Sequence, residues 1–187
     1  MLKQTKMLMI GGATRNVGKT TFSCSLIKEF SKNNIIIGLK IKTLYKDDSF
    51  FHGKDRNPLK GDYRIIEEFE ENGVEDTMRM LKAGAKQVFR IKVKSEHIGP
   101  AFDDFLQRIP DNSFILCESN SLRKVVEPGL FIMIKHKNSD EIKPSAKELE
   151  PLADRIVFTD GENHGFNMKD LVVTDEKWVL KFDKILK

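Results

Sequence analysis

The chain has 187 residues, 40% of them hydrophobic and 32% charged, a balance that suits one globular domain with a proper core. Its 32 basic and 28 acidic residues leave a net charge of +4, spread along the chain without a run of like charge, so composition does not imply nucleic acid as a partner. No apolar stretch approaches the ~20 residues of a membrane helix, and the apolar part of MLKQTKMLMIGG is too short for a secretion signal. Cys24 and Cys117 lie in apolar runs without metal-ligand spacing, which leads us to expect a reduced, cytoplasmic protein with no membrane partner.

Short runs of Ile, Val, Leu and Phe recur between helical patterns. Residues 7–10 form the first predicted strand, and 20–32 the first helix, with Phe22, Leu26, Ile27 and Phe30 on one face. Further strands are expected at 35–41, 87–93, 113–117, 130–134 and 155–158, with helices at 76–83, 101–109 and 146–152. Continuous apolar strands that alternate with helices predict an α/β fold, its mostly parallel sheet covered on both faces. Residues 46–61 break the alternation as a long polar loop, and 63–69 read as a strand inserted with it, so 46–73 is the expected insertion after strand two. Residues 159–167, with two glycines, read as a second flexible stretch, and 171–182 as a strand with a closing segment.

The segment 11–21 reads GGATRNVGKTT and falls between the first strand and the first helix. In that context it is expected to be a phosphate-binding loop. Backbone N–H groups of Gly12, Ala13, Thr14, Arg15, Asn16, Val17 and Gly18 would line an anion cradle, and the helix that follows adds partial positive charge. Lys19 would reach the terminal phosphates, and Thr20, next to Thr21, would place its hydroxyl on Mg²⁺. The spacing is unusual: the position that normally carries the first Gly is Ala13, and counting from Gly12 leaves five intervening residues.

Glu118, at the end of the strand 113–117, falls where open α/β sheets bind ligands and is a candidate to hold Mg²⁺ or to orient a water. Lys42, at the expected exit of strand two, would steady a transferred phosphoryl group. Asp47 and Asp48 are candidates to complete the metal shell. Asp76 either caps the helix it begins or joins the site. His52, His97, His136 and His164 are scattered and are expected in surface or turn roles, and Glu67 and Glu68 on a solvated strand face.

The five-residue loop spacing resembles that of dethiobiotin synthetase and its relatives. Over residues 7–120 the chain is more similar to molybdopterin-guanine dinucleotide biosynthesis protein B. The likeness is carried by Lys42 and Asp47 at matching spacing, by Asp76-Thr77 followed by Ala83-Gly84-Ala85, and by Glu118 after an apolar strand. The resemblance implies a three-layer P-loop NTPase fold with an inserted loop or hairpin after strand two. It also implies Mg²⁺-dependent binding and slow hydrolysis of GTP or ATP during molybdenum cofactor assembly, in a homodimer that serves a protein partner. GTP is the family's nucleotide; the segment 135–140, KHKNSD, comes near a guanine-recognition motif but carries its Asp one place late. The other readings are an ATP-dependent ligase of the dethiobiotin type and a nucleotide-sensing adaptor without catalysis.

Overall fold

A computed structural model describes residues 1–45, 59–161, 163–174 and 176–181. Its centre is a seven-stranded sheet in the order β3-β4-β2-β5-β1-β6-β7. These strands are β1 (Leu2–Gly12), β2 (Ile36–Leu44), β3 (Tyr63–Glu67), β4 (Gln87–Lys94), β5 (Phe114–Glu118), β6 (Val126–His136) and β7 (Arg155–Thr159). All pairings are parallel except that of β3, which runs antiparallel to β4 at the sheet edge.

Alternate residues of each central strand point to opposite faces, and both faces are apolar. Met7 and Met9 of β1 join Leu39, Ile91, Phe102 and Phe105 in one core. Leu8 and Ile10 join Phe22, Leu26, Met80 and Trp178 in the other. The first core is closed by α3 (Ile98–Leu106) and the short α4 (Pro144–Lys147); the second is closed by α1 (Lys19–Phe30) and α2 (Asp76–Lys82). The result is an α/β sheet with helices on both sides. No helix among the described residues is long and apolar enough to cross a membrane.

Each expected strand is present, several of them longer than their apolar runs. β1 extends to 11 residues because β6 pairs with it from Leu2 to Gly12, with a register shift between Gln4 and Leu8. β2 continues through Leu44 because β4 pairs with it to that point, so Lys42 lies within the strand and not at its exit. The stretch 63–69 does contain a strand, but it joins β4, whose outer edge it covers, and makes no hairpin with β2. The expected insertion at 46–73 is therefore partly an edge strand of the main sheet; residues 46–58, Asp47 among them, lie outside the described residues.

The helix expected at 146–152 is shorter, four residues followed by a 3₁₀ turn at Glu150–Leu152, because Pro151 cannot donate to a continuing helix. Within the stretch 159–167, read as flexible, Gly165 N–H donates to Phe158 O at 2.9 Å and Thr159 bridges to His164. The end of the described chain is a separate hairpin of β8 (Leu171–Val173) and β9 (Trp178–Leu180). Trp178 anchors it: the buried ring meets Phe30 and Phe114 edge-on, and its Nε1 donates to Lys6 O at 3.1 Å.

Candidate functional site

Because β1, β2, β4, β5, β6 and β7 are parallel, their C-terminal ends share one edge of the sheet, where α/β folds gather ligand-binding groups. The loop between β1 and α1 stands at the middle of that edge. Its first residues are pinned by distant parts of the chain. Gly12 N–H donates to Asn120 Oδ1 at 2.9 Å and Asn120 Nδ2 donates back to Gly12 O at 3.2 Å. Ala13 N–H donates to Ile134 O at 2.9 Å, and Lys143 N–H donates to Ala13 O at 3.0 Å.

Beyond this anchor the loop rises through the half-buried Thr14 to an exposed crest at Arg15 and Asn16, then Val17 returns to the core. Asn16 has φ 55°, a left-handed conformation that Asn tolerates, and Gly18 has φ 84°. Gly18 carries the chain into α1, with its carbonyl accepting from Phe22 N–H at 3.0 Å. The side chain of Lys19 folds back over the loop: a Cβ built on Gly12 would lie 2.7 Å from Lys19 Nζ. Only glycine at position 12 leaves room for that path.

Lys19 is a constrained cation. Burial, helped by the neighbouring charge of Lys143, lowers its pKa to about 8, although Glu118 and Asp76 act in the opposite direction. Beneath it, Glu118 is almost completely buried at 3% exposure. Its Oε2 accepts from the Thr20 hydroxyl at 3.1 Å and from Lys40 Nζ at 3.2 Å, while its Oε1 is buried with no hydrogen-bond partner among the described residues. Lys40 also bonds Asp76 at the start of α2. Burial disfavours the Lys40 ammonium, but the charge of Glu118 and the contact with Asp76 outweigh it and raise the pKa. Burial likewise acts to raise the Asp76 carboxyl; the hydrogen bond and charge of Lys40 prevail and hold it below the usual range.

These groups border a cleft of about 270 Å³, with Asn16, Gly18 and Thr21 on the loop side, Arg79 on the α2 side and Gly161 at the mouth. Arg79 donates to the Thr21 hydroxyl at 3.1 Å and stands 3.8 Å from Asp76. The cleft thus presents cations around a loop rich in backbone donors, with Asp76 on its wall and Glu118 buried behind Thr20. Such a setting can hold a polyanion, and Thr20 and Asp76 offer hard oxygens at its side, while Lys40 stands between the two carboxylates.

Lys19, Thr20 and Glu118 come together as expected, whereas Lys42 does not join them. It is Lys40, two residues earlier and paired in register with Glu118, that meets the carboxylates, while Lys42 is exposed further along β2. Asp76 does not act as a cap: Glu75 precedes it as the cap residue, without a side-chain bond to the helix. Glu67 accepts from Gln87 at 2.9 Å and Glu68 from Thr77 at 2.7 Å, so both serve the packing of β3 and α2.

Of the histidines, His97 stands 3.6 Å from Asp62 and His136 accepts from Asn138 N–H. His164 is placed differently. Its ring packs on Phe22 beside Gly18, and both ring nitrogens are buried without a partner among the described residues; burial lowers its pKa. His52 lies outside the described residues.

Sequence reading missed Lys40, Arg79, Asn120 and Lys143 as neighbours of the loop. Lys40 had one available signal, since it shares a strand face with Lys42. Asn120 had none, being 108 residues from its partner. Replacing Asn120 with Ala strips both polar groups of Gly12 of their partner. We expect a loss of about 1–3 kcal/mol in urea denaturation, and an unchanged midpoint would show that the anchor does not matter.

A comparison with family models matches none of them, and searches of curated proteins and of solved structures return no similar chain.

Proposed function

We propose that the chain binds a nucleoside triphosphate with Mg²⁺ in the cleft at residues 12–21 and slowly hydrolyses or transfers its terminal phosphoryl group, in a three-layer P-loop NTPase fold. The observation that carries this reading is one arrangement. Lys19 is folded over the Gly12 backbone at a helix N-terminus, directly above Thr20 and the buried, half-satisfied Glu118. A cation held where burial and Lys143 oppose its charge is suited to a polyanion that restores the balance.

The donor set also suits the metal. Glu118 Oε1 lacks a partner, Thr20 supplies a hydroxyl and Asp76 a second carboxylate, all hard oxygens of the kind Mg²⁺ takes alongside water and phosphate. When bound, Mg²⁺ would neutralise charge that develops on the phosphates. The residues do the remainder. Loop N–H groups and Lys19 bind and orient the phosphates, Glu118 holds the Thr20 hydroxyl in place, and Arg79 closes the α2 side.

The role in molybdenum cofactor assembly, the preference for GTP, the homodimer and the protein partner rest on the resemblance of the short motifs between residues 7 and 120. Calorimetry with ATP and with GTP, each with and without Mg²⁺, tests the core of the reading. Saturable, Mg²⁺-enhanced binding of at least one is expected; no saturable heat with either would remove it. Equal affinity for both would remove only the preference for guanine.

A further inference from the structure

The parallel pairing of β1 with β5 gives these strands a shared N-terminal end, opposite the shared C-terminal end at the cleft. Gly12 and Glu118 finish the strands at the cleft. Gln4 and Lys6 of β1, with Ser113 just before β5, stand at the other end. Between them and the end of α3 lies a second cavity of about 270 Å³. Leu106, Ile109 and Ile115 form its apolar wall, and the same side chains pack on the core beneath α3. That volume is at the small end of ligand sites, so the cavity admits a short compound.

The polar part of the lining holds groups that the fold leaves unused. Ser113 is 4% exposed, and its Oγ is buried with no hydrogen-bond partner among the described residues. The turn that carries it is fixed, since Ser113 N–H donates to Pro110 O at 3.0 Å. Buried hydroxyls seldom go unpaired, because each gives up hydrogen bonds to water and gains none. This one turns about a single bond and so can present a donor or an acceptor to the cavity it borders. Lys6 is half-buried on the same border. Its Nζ donates to a neutral group, the Asp111 carbonyl, at 3.3 Å, and forms no ion pair among the described residues. The Asp111 carboxylate belongs to an exposed residue at the rim, where water and salt screen it. The cavity therefore combines a cation, an unpaired hydroxyl and an aliphatic wall.

We propose that this cavity binds a small carboxylic acid with a short aliphatic tail. Lys6 receives the carboxylate as a charge-assisted donor, and the Ser113 hydroxyl gains from it the partner it lacks. Leu106, Ile109 and Ile115 hold the tail. The site lies at the far end of β1 from Gly12 and does not depend on the nucleotide reading.

The test follows the full chain by nuclear magnetic resonance, with isotope-labelled Ile and Leu methyl groups. It is titrated with isocaproate and, separately, with isopentylamine, which keeps the tail and reverses the charge. Saturable shifts of the Ile109 and Ile115 methyl signals are expected with isocaproate, with Ile27 in the other core unmoved and the amine without effect. Lys6→Gln and Ser113→Ala should each weaken binding about tenfold. Because the Ser113 hydroxyl has no partner to lose, Ser113→Ala should leave the melting temperature of the unliganded protein unchanged or higher. Leucine has the same tail with an added ammonium group. Tighter binding than isocaproate, lost in Asp111→Asn, assigns an amino acid; equal or weaker binding assigns a plain acid. The site is overturned if isocaproate gives no saturable shift or if the amine binds as well as the acid. It is equally overturned if a folded variant combining Lys6→Gln with Ser113→Ala binds as tightly as the wild type, or if Ser113→Ala alone lowers the melting temperature markedly.

Discussion

Lys19→Ala is expected to weaken Mg²⁺-nucleotide binding by about a hundredfold, because it removes a charge-assisted contact to the terminal phosphates in a poorly solvated cleft. The same substitution should leave the unliganded protein no less stable. A lysine whose folded pKa sits below its ordinary value costs stability while it is protonated, and Lys19 is lowered to about 8 by burial and by Lys143. Removing it relieves that cost. Calorimetry for affinity and thermal denaturation for stability form the pair of measurements. Retained affinity would exclude Lys19 from phosphate contact, whereas a loss of affinity with a collapse in melting temperature would mark a structural lysine instead.

Glu118→Gln is expected to reduce phosphate release on the order of a hundredfold or more, with little change in affinity for nucleotide in the absence of metal. Gln keeps the shape and can still accept from Thr20, but it removes the charge that would face a metal. Lys40 retains Asp76 as its counter-ion, so the substitution does not strand a buried cation and the protein should fold. A variant that turns over at the wild-type rate would displace Glu118 from the chemistry. One that loses Mg²⁺-enhanced binding along with turnover would assign it to the metal.

The strands were legible because a parallel sheet buried on both faces needs uninterrupted apolar runs, and those of β1, β2, β5 and β6 stand out against charged surroundings. The turn between β1 and α1 was legible as a glycine-rich segment set between an apolar run and an amphipathic helical pattern. Glu118 followed from its position at a strand end. What failed was register. Whether Lys40 or Lys42 faces Glu118 depends on how β2 aligns with β5, and alternate residues of one strand carry the same periodic signal. The contact of Asp76 with Lys40 spans 36 residues and that of Asn120 with Gly12 spans 108, so neither leaves a local pattern. After α4 the local rule was present and was outweighed in the reading: Pro151, in the following 3₁₀ turn, limits how far a helix can run.

The sheet order has a consequence for how the molecule is made. β1 lies between β5 and β6, so Met7 finds its neighbour at Ile115 and Gly12 finds its own at Ile134. Pairings so distant in sequence carry a large loop-closure cost and form slowly. During synthesis the glycine-rich turn is made well before its partners, Asn120 lying 108 residues further on, and it has no fixed shape until they follow. The cleft is thus among the last features to mature, and only a chain complete through β6 can present it.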